Sequence, residues 1–332
     1  MRPMEIALTG DVMLGRLVDQ EVIRQLAVRP EAVWGDVLPI LLAADLRLVN
    51  LECVISTRGR EWRPRSKAFH FRAHPRAIEF LRAASIDAVT LANNHVLDYG
   101  TEALLDCLGL LDEAGIKHAG AGRNLAAATA PVFLQVAGGE VAVLALTDNE
   151  PEWEAADTKP GVVYVAYDRR GLKEPYRTKV TEAMKAARSR ADLLLVSAHV
   201  GSNWGTPSAE MRALAHELLD LGADFYWGHS NHTPQGIELY RGKAILYSSG
   251  DFIDDYLVDE DERNDLSFLF VLDLERGRIA HILLQPVRIE NCRVRLARDQ
   301  DVWFLQRTMQ AKCAVLGTPI VFRDGLGTIV IR

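Results

Sequence analysis

Along the first two-thirds of the chain, short runs of β-forming apolar residues alternate with stretches in which apolar residues recur every three or four positions. Residues 4–9 read as a strand closed by Gly10-Asp11, which leaves Asp11 at a strand end. From 16 to 28, Leu17, Val18, Val22, Ile23 and Leu26 stand at helical spacing, and Pro30 ends that run. A helix over 34–44 leads to a strand over 46–49, whose end carries Asn50-Leu51-Glu52. A short strand at 69–71 and a helix at 75–84 follow. The strand at 87–91 then runs into Asn93-Asn94-His95 and on to Asp98-Tyr99-Gly100. A helix over 101–114, closed by Gly115, feeds a strand at 116–119. The glycine-rich stretch 120–124 lacks the spacing of either nucleotide-binding fingerprint and reads as a turn.

Residues 131–136 and 140–147 pattern as a hairpin around Gly138-Gly139, and the irregular stretch 150–167 reads as an insertion over the site. After a long helix at 169–190, the apolar run 193–198 ends on His199. A helix at 209–221, closed by Gly222, precedes a strand at 224–227 that leads to His229. Two strand ends joined through one helix lie side by side in a parallel sheet, so His199 and His229 are predicted on one rim. Ligands collect at such rims, and His232 follows three residues later. A hairpin at 236–240 and 244–247, long strands at 266–274 and 278–287, a helix at 301–315 and a short strand complete the pattern. An alternating first half and an antiparallel second half predict an α/β fold of two packed mixed β-sheets flanked by helices. No internal repeat or low-complexity linker interrupts it, so 1–332 reads as one domain.

Composition narrows the partners. The chain has 332 residues, 48% hydrophobic and 25% charged, an ordinary globular balance. Its formal net charge of −7 leaves no nucleic-acid footprint. The one basic cluster, 58–67 (R-G-R-E-W-R-P-R-S-K), is either a solvated loop or a lip that attracts an anionic substrate. The four cysteines form no CxxC pair and read as buried thiols. No charged-then-apolar leader precedes the first strand and no apolar run reaches the ~18 residues of a membrane span, so a cytoplasmic protein is expected.

Five strand ends carry candidate ligands: Asp11, Glu52, Asn94, His199 and the pair His229/His232. Carboxylate and amide oxygens with imidazole nitrogens suit Mn, Zn or Fe, and Ca less well; the lack of thiolate argues against a structural zinc site. The order of these motifs resembles the calcineurin-like metallophosphoesterase superfamily. More closely, the chain resembles the CapA family of poly-γ-glutamate synthesis proteins. The matching stretches are G-D-V-M-L-G-R at 10–16, N-L-E at 50–52, A-N-N-H at 92–95 through D-Y-G at 98–100, and H-V-G at 199–201. G-H-S-N-H at 228–232, Q-G-I-E at 235–238, Tyr247 and G-D-F at 250–252 continue the order, so the motif core spans 5–255.

The resemblance implies a calcineurin-like sandwich with one or two divalent ions. It makes Asp11 a ligand of a first metal and Glu52 the bridge. Asn94, His199 and His229 would hold a second metal, with His232 reaching back to the first. His95 would be the general acid, oriented by Asp98 in a way that favours its protonated ring, and Arg16 would neutralise an anionic group. The sequence departs from the superfamily at Met13, where a histidine would follow Asp11 by two, and at Gly-His-x-x-His in place of Gly-His-x-His. Many CapA relatives also carry a histidine where Ser230 stands and a proline at Asn231. The expected function is a metal-dependent hydrolase of a phosphoester or a γ-glutamyl or peptide-like amide. A metal-dependent peptide epimerase and a non-catalytic partner in polymer synthesis remain as alternatives. The substrate is expected to be a small or peptide-like anion.

Overall fold

The computed structural model describes residues 4–64, 67–137 and 139–331. Its first four sheet strands, β1 (Met4–Val12), β2 (Leu46–Leu51), β3 (Ala88–Thr90) and β4 (Lys117–Ala119), run parallel and lie in sequence order. Between β2 and β4 the chain makes α1 (Ala77–Ala83) and α2 (Gly100–Ala114). It then crosses to a second sheet. There β5 (Val132–Val136) and β6 (Gly139–Thr147) form a hairpin, and β6, β7 (Leu193–His199) and β8 (Phe225–His229) are parallel. The crossovers are α3 (Tyr176–Arg188) and α4 (Ala209–Asp220). The antiparallel pair β9 (Ile237–Tyr240) and β10 (Lys243–Leu246) completes this six-stranded sheet in the order β9-β10-β8-β7-β6-β5.

The chain then returns to the first sheet. β11 (Asp251–Ile253) pairs in parallel with the end of β1, and β12 (Leu266–Glu275) pairs antiparallel along its length. β13 (Arg278–Glu290), β14 (Arg293–Leu296), β15 (Val321–Arg323) and β16 (Leu326–Val330) extend that sheet to ten strands, and α5 (Asp299–Val315) precedes the last pair.

Side chains alternate across each strand with period two, and three apolar layers result. Ile6, Leu8, Leu48, Leu195, Trp227 and Phe270 fill the space between the sheets. Ala7, Val49 and Val89 bury the other face of the first sheet against Phe80 of α1 and Leu104 of α2. Leu194, Val196 and Tyr226 do the same for the second sheet against Met184 of α3 and Leu214 of α4. The expected pair of packed mixed sheets flanked by helices is therefore present. No helix among the described residues is long and apolar enough to cross a membrane.

Element ends differ from the sequence pattern in four places. The helix expected over 16–28 is one α-turn (Arg16–Val18) and one π-helical turn (Asp19–Ile23), which leaves Leu26 exposed. The 34–44 helix is α-helical only over Leu38–Ala43. The short strand expected at 69–71 lies at Arg72–Ala73, paired with Val54–Ile55. The 169–190 helix starts only at Tyr176, because Gly171 at φ +100° closes a small hairpin between Tyr167–Asp168 and Gly171–Leu172. Gly138 of the predicted hairpin turn, and Arg65 and Ser66 of the basic cluster, lie outside the described residues.

Candidate metal centre

In β7, Leu193 and Leu195 face the space between the sheets, so Ser197 and His199 continue on that face. In β8, Phe225 and Trp227 place His229 there as well. The two histidines are direct register partners, with ring centroids 6.3 Å apart and planes 12° from parallel.

Asp11 reaches the same space by a different device. Leu8 pairs with Leu48, but Asp11 pairs with Asn50, so β1 carries one residue more than β2 between these points. Without this bulge, alternation from Ile6 and Leu8 would turn Asp11 to the opposite face. Gly10 permits it, because a Cβ there would lie 2.1 Å from the Gly250 carbonyl oxygen.

The bulge brings Asp11 Oδ1 2.7 Å from His229 Nδ1, and the same oxygen accepts a hydrogen bond from Asn50 Nδ2 at 2.8 Å. Asp11 Oδ2 is buried, lies 4.0 Å from His199 Nδ1, and has no hydrogen-bond partner among the described residues. Glu52 Oε1 is 3.8 Å from His199 Nε2, and its Oε2 accepts from the Tyr256 hydroxyl at 3.1 Å. Asp11, Glu52 and His199 each offer a ligand atom within 4.8 Å of the others. Two further buried atoms lack partners: Nε2 of His229, whose Nδ1 meets Asp11, and Oδ1 of Asn94, which lines the same cleft as Glu52 and His199. With His229 Nδ1–H directed at Asp11, its Nε2 presents a lone pair, the orientation a carboxylate imposes on a metal-binding imidazole.

Charges at this cluster are shifted strongly. Burial works to raise the Asp11 carboxyl, but the His229 and His199 imidazoles and the Asn50 hydrogen bond outweigh it and hold it at about 2. Burial, reinforced by the Asp11 charge, pushes Glu52 well above the usual carboxylate range. Burial also lowers His199 to about 3, so its ring is neutral at physiological pH, as a ligand must be. Unpartnered oxygen and nitrogen atoms in a dry, carboxylate-rich cluster are costly unless a cation completes them. The donor set therefore fits a divalent ion.

Glu52 and His199 of the cluster line a cleft of about 640 Å³ whose walls include Arg16, Lys67, Asn94, His95, His232 and Tyr256. His95 Nδ1 lies 2.6 Å from Asp98 Oδ2, and its ring stacks on Phe71 with centroids 3.8 Å apart. Asp98 also accepts from the Phe71 amide at 2.6 Å, while its other oxygen is 2.7 Å from Lys67 Nζ. Asp98 favours the protonated ring, as expected from the sequence, but it does not act alone. Burial outweighs Asp98 and lowers His95 to about 4, leaving the ring neutral at pH 7. Arg16 lines the wall, with its Nε 3.4 Å from Asp255 Oδ1.

His232 does not join the three-residue cluster: its Nδ1 is 3.0 Å from Asp251 Oδ1 and its Nε2 is 3.2 Å from Asn203 Nδ2. Asn50, Asp251, Tyr256 and Lys67 were not singled out from the sequence. The first two lay inside recognised motif stretches, N-L-E and G-D-F, where their polarity at strand ends was the available signal. Lys67 belongs to the basic cluster, and the structure turns it inward onto Asp98. From the 150–167 insertion, Glu150 lines the cleft and Trp153 packs edge-on against Trp62, with ring centroids 5.4 Å apart.

Over residues 5–256 the chain matches the family described as Bacterial capsule synthesis protein PGA_cap. A probable polyglutamine synthesis accessory protein of Mycobacterium tuberculosis is 34% identical, over 98% of this chain and 95% of its own length. The PGA biosynthesis protein CapA of Bacillus subtilis is 30% identical over 74% of this chain, which covers 62% of that protein. Among solved structures, a hypothetical protein from Thermus thermophilus superposes with a TM-score of 0.51 at 17% identity. That alignment covers 89% of this chain and 100% of the other, a likeness of fold.

Proposed function

The chain belongs to the PGA_cap family of bacterial capsule synthesis proteins, and from that premise we propose that it is a divalent-metal-dependent hydrolase. The bond it cleaves would be a phosphoester or a γ-glutamyl or peptide-like amide. The observation that carries the reading is the convergence of the buried Asp11, Glu52 and His199, and the unpartnered His229 Nε2 and Asn94 Oδ1 support it. These five residues would hold the ion, and their oxygen–nitrogen set suits Mn, Zn or Fe. When bound, the ion supplies Lewis acidity that activates water near neutral pH and draws charge from the scissile bond.

The remaining steps fall to the chain. Asn50 and Asp11 Oδ1 hold His229 in one tautomer. Arg16 and Lys67 give the cleft wall positive charge for an anionic group. Asp98 accepts the Nδ1–H of His95, which leaves Nε2 to carry a proton at the leaving atom. A substrate anion beside the ring raises its affinity for a proton, so substrate binding and protonation of His95 favour each other.

The test compares metal-loaded with chelator-stripped protein on p-nitrophenyl phosphate and on γ-glutamyl-p-nitroanilide. Metal-dependent turnover of either supports the proposal and names the bond. No turnover of either by protein with full metal content sinks it. That outcome favours the non-catalytic reading, to which the word "accessory" in the mycobacterial relative's name lends support.

A further inference from the structure

The cleft lining is both polar and aromatic. Beside the polar donors, aromatic rings from four separate loops form one continuous strip. Trp204 lies 5.4 Å from His232, His232 5.2 Å from Tyr256, Tyr256 5.8 Å from Phe71, and Phe71 6.4 Å from Phe69, all between ring centroids. All five line the same cleft. Arg16 lies along the strip, with its guanidinium carbon 5.1 Å from the Phe69 ring centre, 5.8 Å from Phe71 and 6.0 Å from Tyr256.

The middle of the strip packs the site: Phe71 is buried and supports His95. Its ends do not. Phe69 is 56% exposed and Trp204 41% exposed, so neither gains much of the burial energy that would justify its size. Large aromatic rings left open at both ends of a cleft that also holds an arginine are a platform for a flat group attached to an anion.

We propose that the strip is a ring-binding subsite, and that the substrate carries a flat-faced ring directly attached to its anionic reacting group. This rests on the reading of the metal centre as hydrolytic. It goes beyond that reading by assigning Trp204 and Phe69 a ring-bearing part of the substrate. The ring is aromatic or a saturated sugar-like ring, since both present apolar faces.

Phosphonates are suitable probes because their tetrahedral oxyanion resembles a ground-state phosphoester group and the tetrahedral intermediate of amide hydrolysis. Calorimetric titration of metal-loaded protein would compare phenylphosphonate and cyclohexylphosphonate with methylphosphonate. At least one ring compound is expected to bind about tenfold or more tighter than methylphosphonate, the range of stacking on an aromatic side chain. The tighter of the two names the ring type. In Trp204→Ala the advantage should shrink to about twofold, with metal content and methylphosphonate affinity unchanged. Phe69→Ala serves as an independent variant should Trp204→Ala not fold. Equal affinity for ring and methyl compounds overturns the subsite and leaves the hydrolase reading standing. Failure of all three to bind metal-loaded protein overturns both.

Discussion

Replacing His95 with asparagine separates chemistry from architecture at this site. The shorter amide keeps a donor for Asp98, whose other contacts, to the Phe71 amide and Lys67, do not involve the ring. None of the hydrogen bonds and ion pairs of Asp11, Glu52 and His199 reaches His95. The structural loss is the stack on Phe71, worth about 0.5–1.5 kcal/mol. In a chain of this size that is a fall in Tm of a few degrees at most. A general acid–base group, by contrast, contributes about 10²–10⁴-fold in rate, or about 3–5 kcal/mol of barrier. His95→Asn should therefore cut kcat by that factor while elemental analysis finds wild-type metal content. Full activity in the variant, or loss of metal together with activity, would refute the assignment and move the proton-transfer role elsewhere on the rim.

Removing the imidazole, whose Nε2 lacks a partner, in His229→Ala should weaken metal binding by more than the ~10–100-fold typical of an outer-sphere change. Unchanged metal stoichiometry on dialysis would exclude His229 as a ligand. Gly10→Ala forces a Cβ to within 2.1 Å of the Gly250 oxygen, so we expect a loss of about 3 kcal/mol, the upper end of overpacking costs, with metal affinity reduced as Asp11 is displaced. A variant as stable as wild type would show that the β1–β11 contact yields easily. Burial disfavours the His232 imidazolium, but Asp251, Glu52 and Asp11 outweigh it and raise it to about 10. Its folded value lies above the ordinary 6.5, so the stabilisation is complete below about pH 6.5 and is lost as pH climbs towards 10. The Tm of metal-free protein should fall across that window, and Asp251→Asn should flatten the fall; an unchanged slope in the variant would place the titration elsewhere.

Much of the scaffold was legible in the chain because its causes are local. Strand runs ending on His199 and near His229, with one helix between them, could lie side by side only in a parallel sheet, and the two histidines are register partners there. The motif order likewise placed Asp11, Glu52 and Asn94 at strand ends, although it did not say which atoms meet. Helix lengths were less legible: amphipathic spacing at 16–28 and 169–190 continued past the points where a π-helical turn and a glycine-closed hairpin end the regular structure.

What the sequence determined by itself was the order of strands and helices and the polar residues at their ends, since period-two and period-3.6 patterns depend only on near neighbours. The tertiary structure alone decided which of those residues meet. Alternation counted from Ile6 and Leu8 would turn Asp11 away from His229; a one-residue bulge, possible only where Gly10 packs against Gly250, brings it back. Asp251 comes beside Asp11 only because the chain returns to the first sheet after building the second, a pairing between residues 240 positions apart. The protonation of His95 was equally beyond the sequence. Asp98, three residues away, does favour the imidazolium, but burial of the ring outweighs it and lowers His95 to about 4.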